Sequence, residues 1–201
     1  MPGLRKAQET RAFGIAQFTS SSCIPALNAD IAGVPNCRAI NAKVLSLARQ
    51  IRPDIVLLHA TWAEYFDNVA ETVAALKSQT GARVVVLGHV PIWRRSLPSE
   101  VLHYFMLHHS LIPPRSSDAV SSNWYDADLR AKLVPLGAEF VSAWDAMCNA
   151  NGCLTRIGDA ASDLSASDQV HLTEKGSVFL VQSIIGRVLG GRTPLSSSAS
   201  H

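Results

Sequence analysis

The run Asp168-Gln169-Val170-His171-Leu172-Thr173-Glu174-Lys175-Gly176 sets a carboxylate three residues before an imidazole, in a loop that leads directly into a helix. In a turn, that spacing lets the aspartate reach the imidazole. It would fix the tautomer and stabilise the imidazolium that forms when His171 takes a proton. The plainer reading is a solvated loop, with Asp168 near a helix start and Thr173 capping the helix. On spacing alone the plainer reading is favoured.

Other residues of catalytic type have weaker company. Ser20, Ser21 and Ser22 fall at the end of an expected strand. They read as loop residues near a site, able to offer a backbone N–H to an oxyanion. His59, also at a strand end, could touch a substrate, although a buried, hydrogen-bonded histidine is the commoner role. His103, His108 and His109 have no accompanying set of spaced Asp, Glu or Cys, so neither a metal site nor a cofactor is expected. Ser177 reads as a first-turn helix residue, and Trp93, Trp124 and Trp144 as packing residues.

The elements that must position these groups alternate between apolar runs and helical stretches. Phe13 to Phe18 predicts a strand, Arg38 to Arg52 a helix closed by Pro53, and Asp54 to Ala60 a strongly apolar strand. Asn68 to Thr80 predicts a helix stopped by Gly81, and Arg83 to Gly88 a third strand. Val90 to Ser122 reads as a long excursion on the active-site side. A helix from Trp124 to Leu136, a strand over Ala138–Ser142 and a closing helix from Val178 to Leu189 complete the pattern. Strands alternating with helices imply a parallel sheet covered on both faces. Chemistry in such folds gathers at the carboxyl ends of the strands, here Thr19–Cys23, His59–Trp62, Gly88–Trp93 and Ser142–Asp145. Residues 1–192 are expected to form one domain and 193–201 a disordered tail.

Composition narrows the function. Of 201 residues, 47% are hydrophobic and 17% charged, enough apolar material for a core. A formal charge of +2 gives no basic face for nucleic acid. No apolar run reaches the length of a membrane span, and Met1-Pro2-Gly3-Leu4-Arg5-Lys6 lacks the apolar core of a signal peptide. The four cysteines pull the other way. Cys23 and Cys37 flank one loop, Cys148 and Cys153 another, and neither spacing fits a zinc knuckle. Four cysteines allow three pairings, of which Cys23–Cys37 with Cys148–Cys153 is the simplest. Four free thiols in a cytosolic protein are the alternative. Placement at loops favours disulfides and an oxidising compartment.

The Asp-x-x-His-Leu-Thr-x-x-Gly run before a terminal helix resembles the last motif of SGNH hydrolases and acyltransferases. It is most similar to the domain fused behind the acyltransferase-3 membrane region in bacterial O-acetylating enzymes. Cys37-Arg38-Ala39-Ile40-Asn41, the block from Arg52 to Trp62, and Val84 to Pro91 resemble the middle of that domain, and the Cys148–Cys153 pair also matches. The resemblance covers nearly the whole chain. It implies an SGNH-hydrolase-like, flavodoxin-like three-layer α/β sandwich with a mainly parallel sheet. It implies a serine nucleophile served by His171 as general base and Asp168 as its orienting partner, moving acetyl groups to or from a surface glycan such as lipopolysaccharide or exopolysaccharide. The acyl donor would come from the acyltransferase-3 membrane domain, at the periplasmic or extracytoplasmic face of the inner membrane.

Two departures accompany the resemblance. The family's Gly-Asp-Ser, whose serine attacks the acyl group, does not occur in this sequence. The chain therefore reads as a fragment, or as a start placed too late, with the first strand missing and no activity expected from it alone. That reading reconciles the absent export signal with disulfides. Where simple SGNH esterases carry Gly-x-Asn-Asp, this sequence has His59-Ala60-Thr61-Trp62, so Trp62 is expected to shape the substrate cleft and no asparagine oxyanion donor is identifiable. A non-catalytic glycan-binding or interaction domain of the same fold is the rival reading.

Overall fold

A computed structural model of the protein describes residues 1–62, 65–117, 120 and 125–190. In chain order its elements are α1 (Pro2–Gln8), α2 (Cys37–Ile51), β1 (Ile55–His59), α3 (Phe66–Thr80), β2 (Arg83–Leu87), α4 (Leu97–His108), β3 (Arg115–Ser116), α5 (Tyr125–Leu133), β4 (Glu139–Val141), α6 (Ala143–Met147), β5 (Cys148–Asn149), β6 (Gly152–Leu154) and α7 (Glu174–Leu189). The expected tail over 193–201 lies outside the described residues, as does Trp124.

The main sheet is parallel, in the order β1-β2-β4. Ile55 lies opposite Arg83 and His59 opposite Leu87, while Val85 faces Glu139 and Leu87 faces Val141. The central strand β2 is covered on both faces, which is why it reads as an unbroken apolar run rather than an alternation. Val84 and Val86 point into one core with Trp62, Val69, Val73, Leu129 and Leu133. Val85 and Leu87 point into a second core with Met147, Leu180, Ile184 and Val188. The result is three layers, with α3 and α5 on one side and α6 and α7 on the other. Helix α1 packs on the outside of α7, where Gly3 N–H donates to Ser177 Oγ at 3.1 Å. At the amino end of the sheet, Arg83 clasps Glu139 through two parallel bonds of 2.9 and 2.8 Å, tying β2 to β4.

The helix boundaries follow local rules. Helix α2 ends at Arg52, which turns left-handed (φ 50°) ahead of Pro53, and α3 ends at Gly81 with φ 74°. Two expectations are corrected. Phe13–Phe18 forms no strand: the segment is irregular, and Ile15 and Phe18 stay exposed. No neighbouring strand among the described residues gives it a ladder, and a strand without one has no reason to persist. The excursion from Val90 onward contains the helix α4, which starts where the Ser96 side chain accepts the Ser99 N–H. Its apolar residues lie on all sides, so no helical period marked it in the sequence. A small antiparallel sheet, β3-β6-β5, was likewise not foreseen.

Both disulfides, Cys23–Cys37 and Cys148–Cys153, are formed. The first ties the loop before α2 to that helix's first residue. The second links directly opposed residues of the β5–β6 hairpin.

Candidate active site

The loop before α7 is built so that one carboxylate organises it. Asp168 Oδ1 accepts the backbone N–H of Val170 at 2.8 Å and of His171 at 2.7 Å, and Oδ2 lies 2.6 Å from His171 Nδ1. Backbone donors of this kind favour the ionised carboxylate. They hold Asp168 down to about 2, the His171 and Val170 N–H groups contributing most and the imidazole less. An ionised carboxylate only accepts, so Nδ1 carries the ring proton and Nε2 is left with a free lone pair. The His171 side chain is 78% exposed, so that lone pair is open to whatever occupies the space in front of it. This is the arrangement of a general base awaiting a proton.

The rest of the motif locks the loop in place. Thr173 caps α7 by accepting the Gly176 N–H at 3.0 Å and donates its own hydroxyl to the Leu164 carbonyl. Gly176 runs so close to the Ser165 carbonyl that a Cβ there would collide with backbone. Leu172 packs against the second core, and Lys175 pairs with Asp163. Ser167 N–H returns to the His171 carbonyl at 2.8 Å. On the far side, Trp93 N–H donates to the Gln169 carbonyl at 2.9 Å and Leu97 N–H to the Asp168 carbonyl at 3.2 Å. The pair is therefore anchored on the segment leaving the carboxyl end of β2, the end where parallel sheets place their chemistry.

A second polar cluster, which the sequence reading missed, lies at the same end of the sheet. His89, just past β2, meets Asp126 of α5, and Asp126 in turn lies 3.5 Å from the Ser142 hydroxyl at the end of β4. Gly88 is required there, because a Cβ would run into the Asp126 carboxylate. His89 and Asp126 are 37 positions apart with no shared motif, so only the fold brings them together.

The remaining candidates are dispersed. Trp62 is buried (1% exposed) in the first core, its indole N–H donating to the Leu87 carbonyl at 2.8 Å. His59 is exposed, not buried as its commoner role would have it, because β1 lies at the edge of the sheet; its Nδ1 lies 3.4 Å from the Leu87 carbonyl. Ser22 is exposed with a left-handed backbone (φ 56°), in the loop that Cys23 tethers to α2. His103, His108 and His109 are exposed along and just after α4, and no cluster that could hold a metal occurs among the described residues.

Residues 1–185 match the model of the SGNH domain found fused to AT3 domains. Among solved structures, the periplasmic domain of a lipopolysaccharide acetyltransferase from Salmonella ser. Paratyphi A is similar in fold, with a TM-score of 0.86 and 23% identity, over 93% of this chain and 77% of that one. No curated protein matches in sequence.

Proposed function

The chain belongs to the SGNH domains that occur fused to AT3 domains, and on that premise we propose that it forms part of an acyl-transfer site acting on a bacterial surface glycan. His171 is the general base and Asp168 its orienting partner. The observation that carries this reading is the Asp168 carboxylate, which binds its own loop and Nδ1 at once and leaves Nε2 open. In the reaction, a serine hydroxyl passes its proton to Nε2 while its oxygen attacks the acyl carbonyl. The imidazolium then returns the proton to the leaving group, and the acyl-serine is cleared by a sugar hydroxyl or by water. Transfer and ester hydrolysis thus use one set of groups.

The serine is not identified among these 201 residues, which contain no Gly-Asp-Ser. We propose that it is supplied by a strand outside them. Two features support a further strand: the outer edge of β1 is unpaired among the described residues, and an open cleft of about 630 Å³ is lined by apolar residues of α2, including Ile40, Val44 and Leu47, with Phe18. The acyl donor would be delivered by an AT3 membrane domain, and the site would face the periplasm. The disulfides and the periplasmic domain of similar fold support that location.

The test is turnover of an acetyl-ester reporter by the chain itself, by a version carrying the in-frame residues upstream of Met1, and by that longer version with His171→Ala. Turnover by the longer version only, lost on substitution, is the expected result. Activity that survives His171→Ala would end the reading. The absent Gly-Asp-Ser also favours a second reading, a non-catalytic glycan-binding domain; a longer version that retains glycan without turning over ester would support it.

A further inference from the structure

Helix α4 is apolar on its inner and outer faces alike. Leu97 is fully buried and Val101 partly so, against the cluster of Trp93, Val120 and Cys153. On the outward arc, Leu102, Phe105 and Met106 are 53–66% exposed, spaced three and four residues apart and therefore contiguous. A helix hydrophobic on both faces belongs between two apolar surroundings. The protein supplies one of them.

Charge identifies the other. Arg94 and Arg95 are exposed immediately before α4, and neither is in an ion pair among the described residues. The helix's one carboxylate, Glu100, is turned back on the chain and accepts the Arg95 N–H at 3.1 Å. The outward arc thus carries large apolar side chains, no acid, and two arginines at its margin. That is the composition of a helix that lies in a bilayer interface, apolar side chains in the acyl boundary and cations at anionic headgroups.

We propose that α4 seats this domain on the surface of an anionic lipid bilayer. Because Trp93 and Leu97 bind the carbonyls of Gln169 and Asp168, the contact would hold the His171 loop within about one helix diameter, roughly 10 Å, of the lipid. The inference stands on α4 and its flanks alone and does not depend on the acyl-transfer reading.

The test is flotation of the full oxidised chain with vesicles of phosphatidylglycerol and phosphatidylethanolamine, and with phosphatidylcholine vesicles. The chain is expected to float with the anionic vesicles. R94Q/R95Q should weaken that binding about fivefold per arginine removed. L102Q/F105Q/M106Q should weaken it by about tenfold or more, with circular dichroism and melting unchanged, since these side chains are already in water. Three results would overturn the proposal: no flotation of the unaltered chain, equal binding by the apolar triple variant, or a dimer in sedimentation that the same triple variant dissociates, which would assign the face to a second copy.

Discussion

The His89 ring is held between two acceptors: Asp126 Oδ1 lies 3.0 Å from Nδ1, and the Trp62 carbonyl lies 2.9 Å from Nε2. Nε2 must therefore carry a proton, and a second proton sits between Nδ1 and the carboxylate. The pair is net neutral whichever partner holds that second proton. Asp126 Oδ1 also accepts the His89 N–H at 2.9 Å. One contact thus joins the loop after β1, the end of β2 and the start of α5.

Removing either partner should be costly, because the other would be left buried without its hydrogen bonds. His89→Ala or Asp126→Ala is expected to lower the unfolding free energy by about 3–5 kcal/mol, measured by urea denaturation of the oxidised chain. A loss below about 1 kcal/mol would mean that the site relaxes or admits water.

Gly88→Ala tests the same contact by crowding it. A Cβ would press on the Asp126 carboxylate, and overpacking of that kind costs about 1–3 kcal/mol. Pairing it with Asp126→Ala should give a penalty well short of the sum, because the second change makes room for the first.

The carboxylate–imidazole pair has its own pH signature. Asp168 is stabilised in its ionised form in the folded loop, from an ordinary value of 3.8 to about 2. The stabilisation is fully present above the unfolded value and is lost as pH falls through about 2. It is small, since the group is about half exposed. A carboxyl-carbon NMR titration should therefore give Asp168 a midpoint near 2, and a midpoint in the ordinary range would refute the geometry. In a version that turns over ester, Asp168→Asn should cut kcat by on the order of 10⁴-fold, because an amide facing Nδ1 favours the wrong tautomer.

Thiol titration of the unfolded, unreduced protein should find no free cysteine. The Cys23–Cys37 bridge is expected to contribute about 2–4 kcal/mol, and the short Cys148–Cys153 loop less. Stability curves of Cys23→Ser/Cys37→Ser and Cys148→Ser/Cys153→Ser proteins would rank them; the reverse order would show that the hairpin holds more than itself together.

What could be read from the sequence was local. Apolar runs marked β1 and β2, Pro53 and Gly81 marked helix ends, and the Asp168–His171 spacing was recognisable once set beside a known family. The parts that escaped depend on distant partners or lack a period. Phe13–Phe18 has strand chemistry but no ladder, which no single segment can report. Helix α4 hides its period by being apolar all round. His89 looked like any residue after a strand, because the group that gives it meaning is brought in by α5. Burial of Trp62 and exposure of His59 reverse what their types suggest, and both follow from β1 standing at the edge.

That edge makes β1 a strand of two kinds of amide. The Asp54 carbonyl accepts the Arg83 N–H at 3.0 Å, and in a parallel ladder the N–H and C=O of one residue point to the same side, alternating along the strand. Val56 and Leu58 therefore turn their N–H groups toward β2, while those of Ile55, Leu57 and His59 turn outward, where no strand pairs with them among the described residues. In deuterium the two sets should separate, slow at Val56 and Leu58 and fast at the three others. Any strand laid along the outer edge would slow only the fast set. A single exchange spectrum of five consecutive residues thus reports whether that side of the sheet is occupied, in whatever form of the protein it is recorded.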